Sequence, residues 1–290
     1  MLVALYKRKR KVVEELSSKL SPEERKEALL DGHAKRKPRP CGITIHTGIG
    51  CDYACRYCYI YDMGFPAKVS PYPRSALQLA YALASNPYVV PMRTFAAYGS
   101  VTEPFHPATS RKAAEYIVEV YRYLSLPSQV STKSVIDEEV VKMLAAGDPK
   151  LNILVTVVTV SRAAALEPRA PPPETRLESA SRAVKAGFPV YLFVRPIIPG
   201  VTDREFSEIL EAAESYGIRG LVLGTFRATR SNVERMSAAI DVAEIRARLP
   251  RTPRGSEQVN IHGEDLKKKL AEEAVKRGFK VFSTACEANV

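Results

Sequence analysis

The sequence predicts an α/β fold in which a parallel sheet forms a partial barrel of six strand–helix units. Two observations lead to this prediction: near-continuous apolar stretches recur along the chain, and a helical pattern follows most of them. A full eight-unit barrel needs about 250 residues for its units alone. A chain of 290 residues with a long polar start therefore suits an incomplete barrel better.

The predicted strands are apolar or β-branched, and they alternate with amphipathic stretches. These strands cover residues 41–48, 93–100, 128–134, 151–160, 188–200 and 218–229. The helices that follow them cover residues 110–124, 137–147, 174–187, 203–217 and 232–248. Parallel barrels place their chemistry on the loops after the strands. We therefore expect unusual side chains at the loops that begin at Gly48, Gly99, Thr132, Ser161, Arg195 and Thr225.

The chain divides into three predicted regions. Residues 1–40 form a basic helical extension, residues 41–250 form the barrel, and residues 251–290 form a cover with a helix at 263–277 and a strand at 279–283. The extension has twelve Lys or Arg against six Asp or Glu, which is about half of the net charge of +11. Two interpretations stay open for its basic residues 7–39: a solvated surface, or an arm that binds the phosphates of a nucleic acid.

Location is predicted from what the sequence lacks. No apolar run approaches the ~18 residues of a membrane helix. The apolar residues at the start of the sequence are too few for the apolar segment of a secretory signal, so we expect a cytoplasmic protein. Scarce Asn and Gln with abundant Lys, Arg and Glu are typical of a thermophile.

Three cysteines lie close together in "TGIGCDYACRYCYIYDMG" (residues 47–64), at Cys51, Cys55 and Cys58. Clustered thiols bind zinc or an iron–sulfur cluster. A structural zinc site needs four ligands, and only His46 or Cys41, both on the preceding strand, could complete it. Three cysteines can instead bind three irons of a [4Fe–4S] cluster and leave the fourth iron open to another ligand.

The spacing C-x3-C-x2-C after the first strand, with an aromatic residue (Tyr57) before the last cysteine, resembles the signature of the radical S-adenosylmethionine superfamily. The resemblance implies that Cys51, Cys55 and Cys58 hold a [4Fe–4S] cluster whose open iron binds S-adenosylmethionine. A reducing electron donor is then required. The chemistry implied is a 5′-deoxyadenosyl radical that takes a hydrogen atom from a substrate.

The resemblance extends to the ends of later strands and implies a set of residues that bind S-adenosylmethionine: Tyr57, Gly99, Ser100, Glu103, Lys133, Arg195, Thr225 and Phe226. Glu103, in "GSVTEP", would hold the amino group. Lys133 offers a cation for the methionyl carboxylate. Arg195 follows an apolar strand, where we expect a buried guanidinium beside an anion, either this carboxylate or a substrate phosphate.

The segments "GSVTEPFHP", "TKS", "LEPRAPPPETRL" and "RPIIPGVTD" resemble the spore photoproduct lyase-like branch, also called DNA repair photolyases. This resemblance implies a nucleic-acid substrate. The true lyase has a hydrogen-donating cysteine near the end of its second strand, where this chain has Tyr98, Gly99 and Ser100. The remaining catalytic candidates are Cys286 as a hydrogen donor and His106 as a partner of the substrate.

Two other functions stay open. The radical could modify a protein, a peptide or a small metabolite, with the extension serving as a docking element. A non-catalytic iron–sulfur or zinc module is the third possibility, although it would need one loop only, and the candidate residues here come from several strand ends. The oligomeric state is left open.

Overall fold

A parallel sheet of seven strands is the framework of the protein, whose computed structural model describes residues 2–40 and 42–289. The strands are β1 (Ile43–Ile45), β2 (Gly48–Ile49), β3 (Ser70–Pro71), β4 (Ala96–Tyr98), β5 (Ser128–Thr132), β6 (Asn152–Thr156), β7 (Val190–Ile197), β8 (Gly220–Thr225), β9 (Arg227–Ala228), β10 (Val259–Asn260) and β11 (Lys280–Phe282). The helices are α1 (Leu2–Lys19), α2 (Pro22–Leu30), α3 (Ala76–Ser85), α4 (Ser110–Leu124), α5 (Glu138–Gly147), α6 (Ala163–Leu166), α7 (Pro173–Lys185), α8 (Phe206–Ser215), α9 (Arg230–Ser237), α10 (Ala243–Ala247) and α11 (Glu264–Lys276).

The strand order is β1–β4–β5–β6–β7–β8–β11, and every neighbouring pair is parallel. Among the described residues, β1 and β11 each pair with one strand of this sheet, so the sheet does not close. The predicted partial parallel barrel is confirmed. The C-terminal strand, which was predicted as part of a cover, adds a seventh strand beside β8.

Several elements differ from their predicted bounds. Helix α3 was not predicted because its sequence, "ALQLAYALAS", has almost no polar face: residues 78–84 are all buried, so no helical period is visible. The helix predicted at 232–248 is two helices, α9 and α10, with a break between them. The strand predicted at 151–160 ends at Thr156.

The N-terminal extension packs onto the barrel. Val12, Leu16, Leu20 and Ala28 are buried in the same hydrophobic core as the sheet and the helices α3 and α4. At the start of α2, Ser21 caps the helix: its side chain accepts a hydrogen bond from the main-chain N–H of the third helical residue. The division at residue 40 stays a prediction. Deleting the extension would expose part of the core, so deletion is not a clean test of a nucleic-acid arm.

Basic side chains of the extension lie at the amino ends of the strands. Lys9 is buried, and its ammonium group donates hydrogen bonds to main-chain carbonyl oxygens in the loop before β4, including that of Val89 at 2.7 Å. Arg8 Nη2 donates to Ser125 Oγ, just before β5, at 3.1 Å. This surface is therefore opposite to the carboxyl ends of the strands.

In the described part of the chain, no helix is both long and apolar enough to cross a membrane.

Candidate active site

A cavity of about 330 Å³ opens at the carboxyl ends of the parallel strands. We call it the strand-end cavity. Its walls come from the cysteine loop (residues 50–60) and from the ends of β4, β5, β7 and β8. Its lining residues are Tyr57, Cys58, Tyr59, Ile60, Gly99, Ser100, Lys133, Phe193, Arg195, Pro196, Thr225, Phe226 and Arg227. The structure thus brings together every residue predicted to bind S-adenosylmethionine except Glu103, and the binding role of each stays a prediction.

The three thiols of the cysteine loop lie close together. Cys55 is buried, and Cys51 and Cys58 are half-buried. Burial raises the pKa of the Cys51 thiol to about 12, with a smaller effect from the neighbouring Cys58, and it raises the pKa of Cys55 and Cys58 as well. The nearby Lys133 ammonium acts in the opposite direction on all three. A metal centre that binds thiolates would displace these protons.

A zinc site with a fourth protein ligand was the alternative to a cluster. Within residues 2–40 and 42–289, no group of three or more His, Cys, Asp or Glu side chains is arranged to hold one metal ion. His46, one of the two candidates for a fourth zinc ligand, has another partner: its Nε2 accepts a hydrogen bond from Arg36 Nη1 at 2.9 Å. Burial, together with the charge of Arg36, lowers the pKa of His46 to about 4. Cys41, the other candidate for a fourth zinc ligand, lies outside the described residues.

A fully buried ion pair lies beneath the cysteine loop, and sequence reasoning missed it. Arg176 Nη2 lies 2.5 Å from Glu167 Oε2, and neither side chain is exposed. Arg176 also donates hydrogen bonds to two main-chain carbonyl oxygens, at 2.6 and 3.0 Å. The Tyr57 hydroxyl donates to Glu167 Oε1. The pair therefore fixes the orientation of Tyr57, which lies between two of the three thiols.

The main chain of the cysteine loop is held from two directions. On one side, the Arg56 N–H donates to the carbonyl oxygen of Leu166 at 2.8 Å. On the other side, Arg235 Nη2 donates to the carbonyl oxygen of Cys58 at 2.6 Å and lies 3.3 Å from Asp62 Oδ2. The loop is thus positioned by the segment after β6 and by α9.

Lys133 is a cation beside the cysteine loop. Its Nζ lies 5.5 Å from the centre of the Tyr57 ring, and no acidic side chain in the described residues forms an ion pair with it. Burial lowers the pKa of Lys133, but the opposing charges of Cys55 and Glu167 outweigh this effect, so its pKa is raised overall. Lys133 is therefore an ammonium group available to an incoming anion.

Glu103 does not line the strand-end cavity. Its buried carboxylate accepts hydrogen bonds from the main-chain N–H of Lys133, at 2.9 Å, and from the Thr132 hydroxyl. Burial raises the pKa of Glu103. The carboxylate therefore positions the end of β5, and its contact with S-adenosylmethionine stays a prediction.

Arg195 is exposed at the mouth of the cavity, so the expectation of a buried guanidinium was wrong. Its side chain lies across Gly224 of β8, where an added Cβ would come within 2.6 Å of Arg195 Cδ. The surrounding protein and the like charge of Arg227 lower the pKa of Arg195. Among the described residues, neither arginine has an acidic partner. Two adjacent guanidinium groups at a cavity mouth favour an anionic ligand.

Two glycines allow turns that other residues would strain. Gly99 has φ +100°, and an added Cβ would lie 2.5 Å from the carbonyl oxygen of Ser131, so only glycine lets the chain leave β4 this close to β5. Gly50 has φ +80°, and an added Cβ would lie 2.3 Å from the carbonyl oxygen of Lys68. The second glycine therefore allows close approach of the protein's own main chain.

His106 does not line the strand-end cavity. Its Nδ1 accepts a hydrogen bond from the Ala108 N–H at 3.1 Å, so its Nε2 carries the proton and lies 3.1 Å from Asp52 Oδ1. The ring also packs against Tyr53. His106 thus supports the cysteine loop, and the structure does not bring it to the position of a substrate.

Cys286 lies at the other end of the sheet. The carbonyl oxygen of its neighbour Ala285 accepts a hydrogen bond from Gln129 Nε2 at 2.7 Å, and Asn289 Nδ2 donates to the carbonyl oxygen of Ser128 at 2.6 Å. Both contacts are at the first residues of β5. Cys286 is also disulfide-bonded, and a disulfide sulfur has no S–H hydrogen to donate. The structure therefore gives no support to Cys286 as the hydrogen donor of this site.

The residues present fit the predicted cofactors. The three thiols lie close enough that charge on Cys51 or Cys58 raises the pKa of Cys55, and an ammonium group lies beside them. Thiolates are the ligands that iron–sulfur clusters require. Lys133 offers a cation for a carboxylate, and the apolar wall around Phe226 offers a surface for a planar ring.

Comparisons with known proteins identify the family of this chain. The family model for the radical SAM superfamily matches residues 45–213. A structure of a spore photoproduct lyase variant, with bound AdoMet and a dinucleoside spore photoproduct, has a TM-score of 0.69 and 17% identity over 86% of this chain and 79% of that chain. SuiB from Streptococcus suis, bound to its precursor peptide SuiA, has a TM-score of 0.55 and 13% identity over 89% of this chain and 52% of its own.

A curated relative, the uncharacterized protein ORF301 of Acidianus two-tailed virus, is 26% identical over 57% of this chain and 58% of its own length. The chain thus spans less than two thirds of that relative. The structural likenesses show the fold alone, whereas the family model covers more than half of the chain. The chain belongs to the radical SAM superfamily and is an enzyme whose cofactors are a [4Fe–4S] cluster and S-adenosylmethionine.

Proposed function

We propose that this enzyme uses its strand-end cavity to act on nucleic acid. When bound, the cluster and S-adenosylmethionine, with one electron from a reducing donor, supply a 5′-deoxyadenosyl radical that takes a hydrogen atom from the substrate. One observation carries the nucleic-acid assignment. Lys133, Arg195 and Arg227 line one cavity, and none has an acidic partner in the described chain. S-adenosylmethionine has one carboxylate, so this cavity has cations left for a second anion.

Each cation has a place in this proposal. Lys133, beside the cysteine loop, binds the methionyl carboxylate. Arg195 and Arg227, at the mouth, bind a phosphate of the substrate, since a guanidinium group matches phosphate oxygens in a bidentate manner. Cys51, Cys55 and Cys58 hold the cluster. The wall formed by Phe226 packs against adenine.

The spore photoproduct lyase neighbour, bound to a dinucleoside, supports a nucleotide substrate. The route of hydrogen return must nevertheless differ from the one implied by that branch. The chain has no cysteine at positions 98–100, and Cys286 lies at the opposite end of the sheet. We therefore propose repair or modification of a nucleic acid without a cysteine donor from β4.

Labelled substrate tests the proposal directly. The reconstituted enzyme is incubated without oxygen with S-adenosylmethionine and with nucleic acid, protein or small molecules from cells grown in deuterated medium. We expect deuterium in 5′-deoxyadenosine or in recovered S-adenosylmethionine with the nucleic-acid fraction only. Deuterium from the protein fraction would favour the peptide alternative, for which the SuiB complex is the structural precedent. Deuterium from small molecules would favour a metabolite.

Replacing Lys133 with Met tests the anchor for the carboxylate. Loss of a charge-assisted hydrogen bond should weaken S-adenosylmethionine binding by about 1.5–3 kcal/mol, measured by anaerobic calorimetry, while the iron content stays unchanged. Lys142→Met is the matched control, because that lysine is exposed on α5, paired only with Glu138. Equal affinity of the two variants would place the carboxylate elsewhere.

We also propose a cytoplasmic location in a thermophilic source. A cluster with an open iron needs reducing surroundings, yet Cys286 is disulfide-bonded. Intracellular disulfides are common in hyperthermophiles and rare elsewhere, so the two features are compatible in such a source. A midpoint of thermal unfolding in the ordinary mesophilic range would count against it.

A further inference from the structure

A second and larger cleft lies beside the strand-end cavity. It has a volume of about 1350 Å³ and is bounded by α9, α10 and residues 249–257. We call it the arginine cleft, because Arg230, Arg246, Arg251 and Arg254 line it. The two spaces adjoin along the chain: Arg227 lines the cavity, and Thr229 begins the wall of the cleft. A long ligand could therefore occupy both.

The charges of the arginine cleft do not cancel. Each of its acidic side chains forms an ion pair with one arginine: Arg230 Nε lies 3.0 Å from Glu234 Oε1, and Arg251 Nη1 lies 2.6 Å from Glu257 Oε2, which also accepts a hydrogen bond from the Arg254 main-chain N–H. Arg246 and Arg254 are exposed, and within the described residues no carboxylate forms an ion pair with either of them. Among the described residues, the cleft therefore presents two exposed guanidinium groups that form no ion pair, and it has a net positive charge.

The size and the walls of the cleft favour a polymer. Sites for small molecules have volumes of about 300–1000 Å³, and the arginine cleft exceeds that range. Its wall is partly apolar, from Val233, Leu249 and Pro253. An apolar surface beside guanidinium groups suits a chain that has flat bases on one side and phosphates on the other.

We propose that the arginine cleft binds the phosphodiester backbone of the nucleic-acid strand whose reacting nucleotide occupies the strand-end cavity. This inference rests on the proposed function and names the surface that holds the rest of the substrate. Arg246 and Arg254 contact phosphates, and the adjoining Arg227 continues the line of cations to the reacting nucleotide.

The position of the cleft distinguishes it from the basic N-terminal extension. The cleft follows β8 and β9 at the carboxyl ends of the strands, where the cavity opens. The extension places Arg8 and Lys9 at the amino ends, and those side chains contact the protein's own main chain or side chains. A strand bound only to the extension would be remote from the site of the radical.

The salt dependence of binding tests this inference. A fluorescent single-stranded DNA and an RNA of the same sequence are titrated with full-length holoenzyme at several salt concentrations. Arg246→Gln/Arg254→Gln should flatten the slope of log affinity against log salt by about 1.4, at about 0.7 for each lost phosphate contact. Arg246→Lys/Arg254→Lys should keep most of the slope, because it keeps both charges.

Arg111→Gln/Arg122→Gln is the matched control, because it removes the same charge from exposed arginines of α4. It should leave the slope unchanged. Iron content and the midpoint of thermal unfolding show that each variant is folded. A cleft variant with the slope of the wild type would overturn the inference. So would flattening by Lys7→Gln/Arg10→Gln instead, or by all the Gln pairs equally.

Two outcomes with the wild-type protein distinguish a failure of this inference from a failure of the proposed function. If the wild type binds nucleic acid through the cleft but transfers no deuterium from it, the proposed reaction fails and the cleft assignment stands. If the wild type binds an acidic peptide through these arginines and no nucleic acid, the cleft assignment itself is wrong.

Discussion

Substitution of any one of Cys51, Cys55 or Cys58 with Ala should abolish the iron–sulfur cluster. Anaerobically reconstituted wild type should contain about four irons per chain and show broad thiolate-to-iron absorption. Each variant should lose both the iron and the absorption. The loop offers only three cysteine ligands, and the cluster needs all of them. With the cluster gone, formation of 5′-deoxyadenosine should fall to background.

Cys41→Ala is the control for this experiment, although Cys41 lies outside the described residues. It should keep its iron, since the resemblance places the ligands on the cysteine loop alone. Stoichiometric zinc in protein purified without oxygen, retained after all three changes, would contradict the cluster assignment.

Glu167→Ala should produce the largest loss of stability. The change leaves the Arg176 guanidinium and the Tyr57 hydroxyl without their shared acceptor in a fully buried place. Removing one partner of a buried ion pair costs about 3–5 kcal/mol. A urea titration followed by circular dichroism measures the free energy of unfolding, and reconstituted protein should also bind less iron, because Tyr57 would lose its orientation.

An exposed ion pair provides the comparison. Glu244→Ala removes the partner of Arg204, where both side chains are exposed, and should change the free energy of unfolding by about 0–1 kcal/mol. Replacing both buried partners, as in Glu167→Leu/Arg176→Met, should recover part of the loss, since no buried charge is then left alone. If Glu167→Ala costs no more than Glu244→Ala, the buried pair is not what supports the loop.

Most strand ends of the cavity were predictable because an apolar run precedes them in the sequence; β5, which reads "SQVST", is the exception. Lys133 and Thr225 line the cavity as expected at the ends of parallel strands, whose carboxyl ends meet at one edge, although Lys133 was singled out through the family resemblance. The exposure of Arg195 could not be predicted. It depends on Gly224 of the neighbouring strand, and pairing between particular residues is not visible in the sequence.

The buried pair was missed for a different reason. Glu167 follows the short helix α6 in a Pro-rich stretch, and nothing in its neighbourhood distinguishes it from an exposed acid. Arg176 did carry a signal. It occupies the apolar stripe of α7 with Ala180 and Ala183, four and seven residues later, where a charged residue requires a buried partner. The identity of that partner required the structure.

The anchoring of the cysteine loop also has a consequence for biosynthesis. The ribosome completes the thiols at residue 58 long before it adds the residues that hold them, and the last of these anchors is Arg235. At about 5–20 residues per second, that interval lasts on the order of ten to thirty-five seconds. The nascent thiols are exposed to oxidants and to stray metal ions throughout that time. The cellular machinery that delivers iron and sulfide therefore meets the loop in its final position only after translation has passed α9.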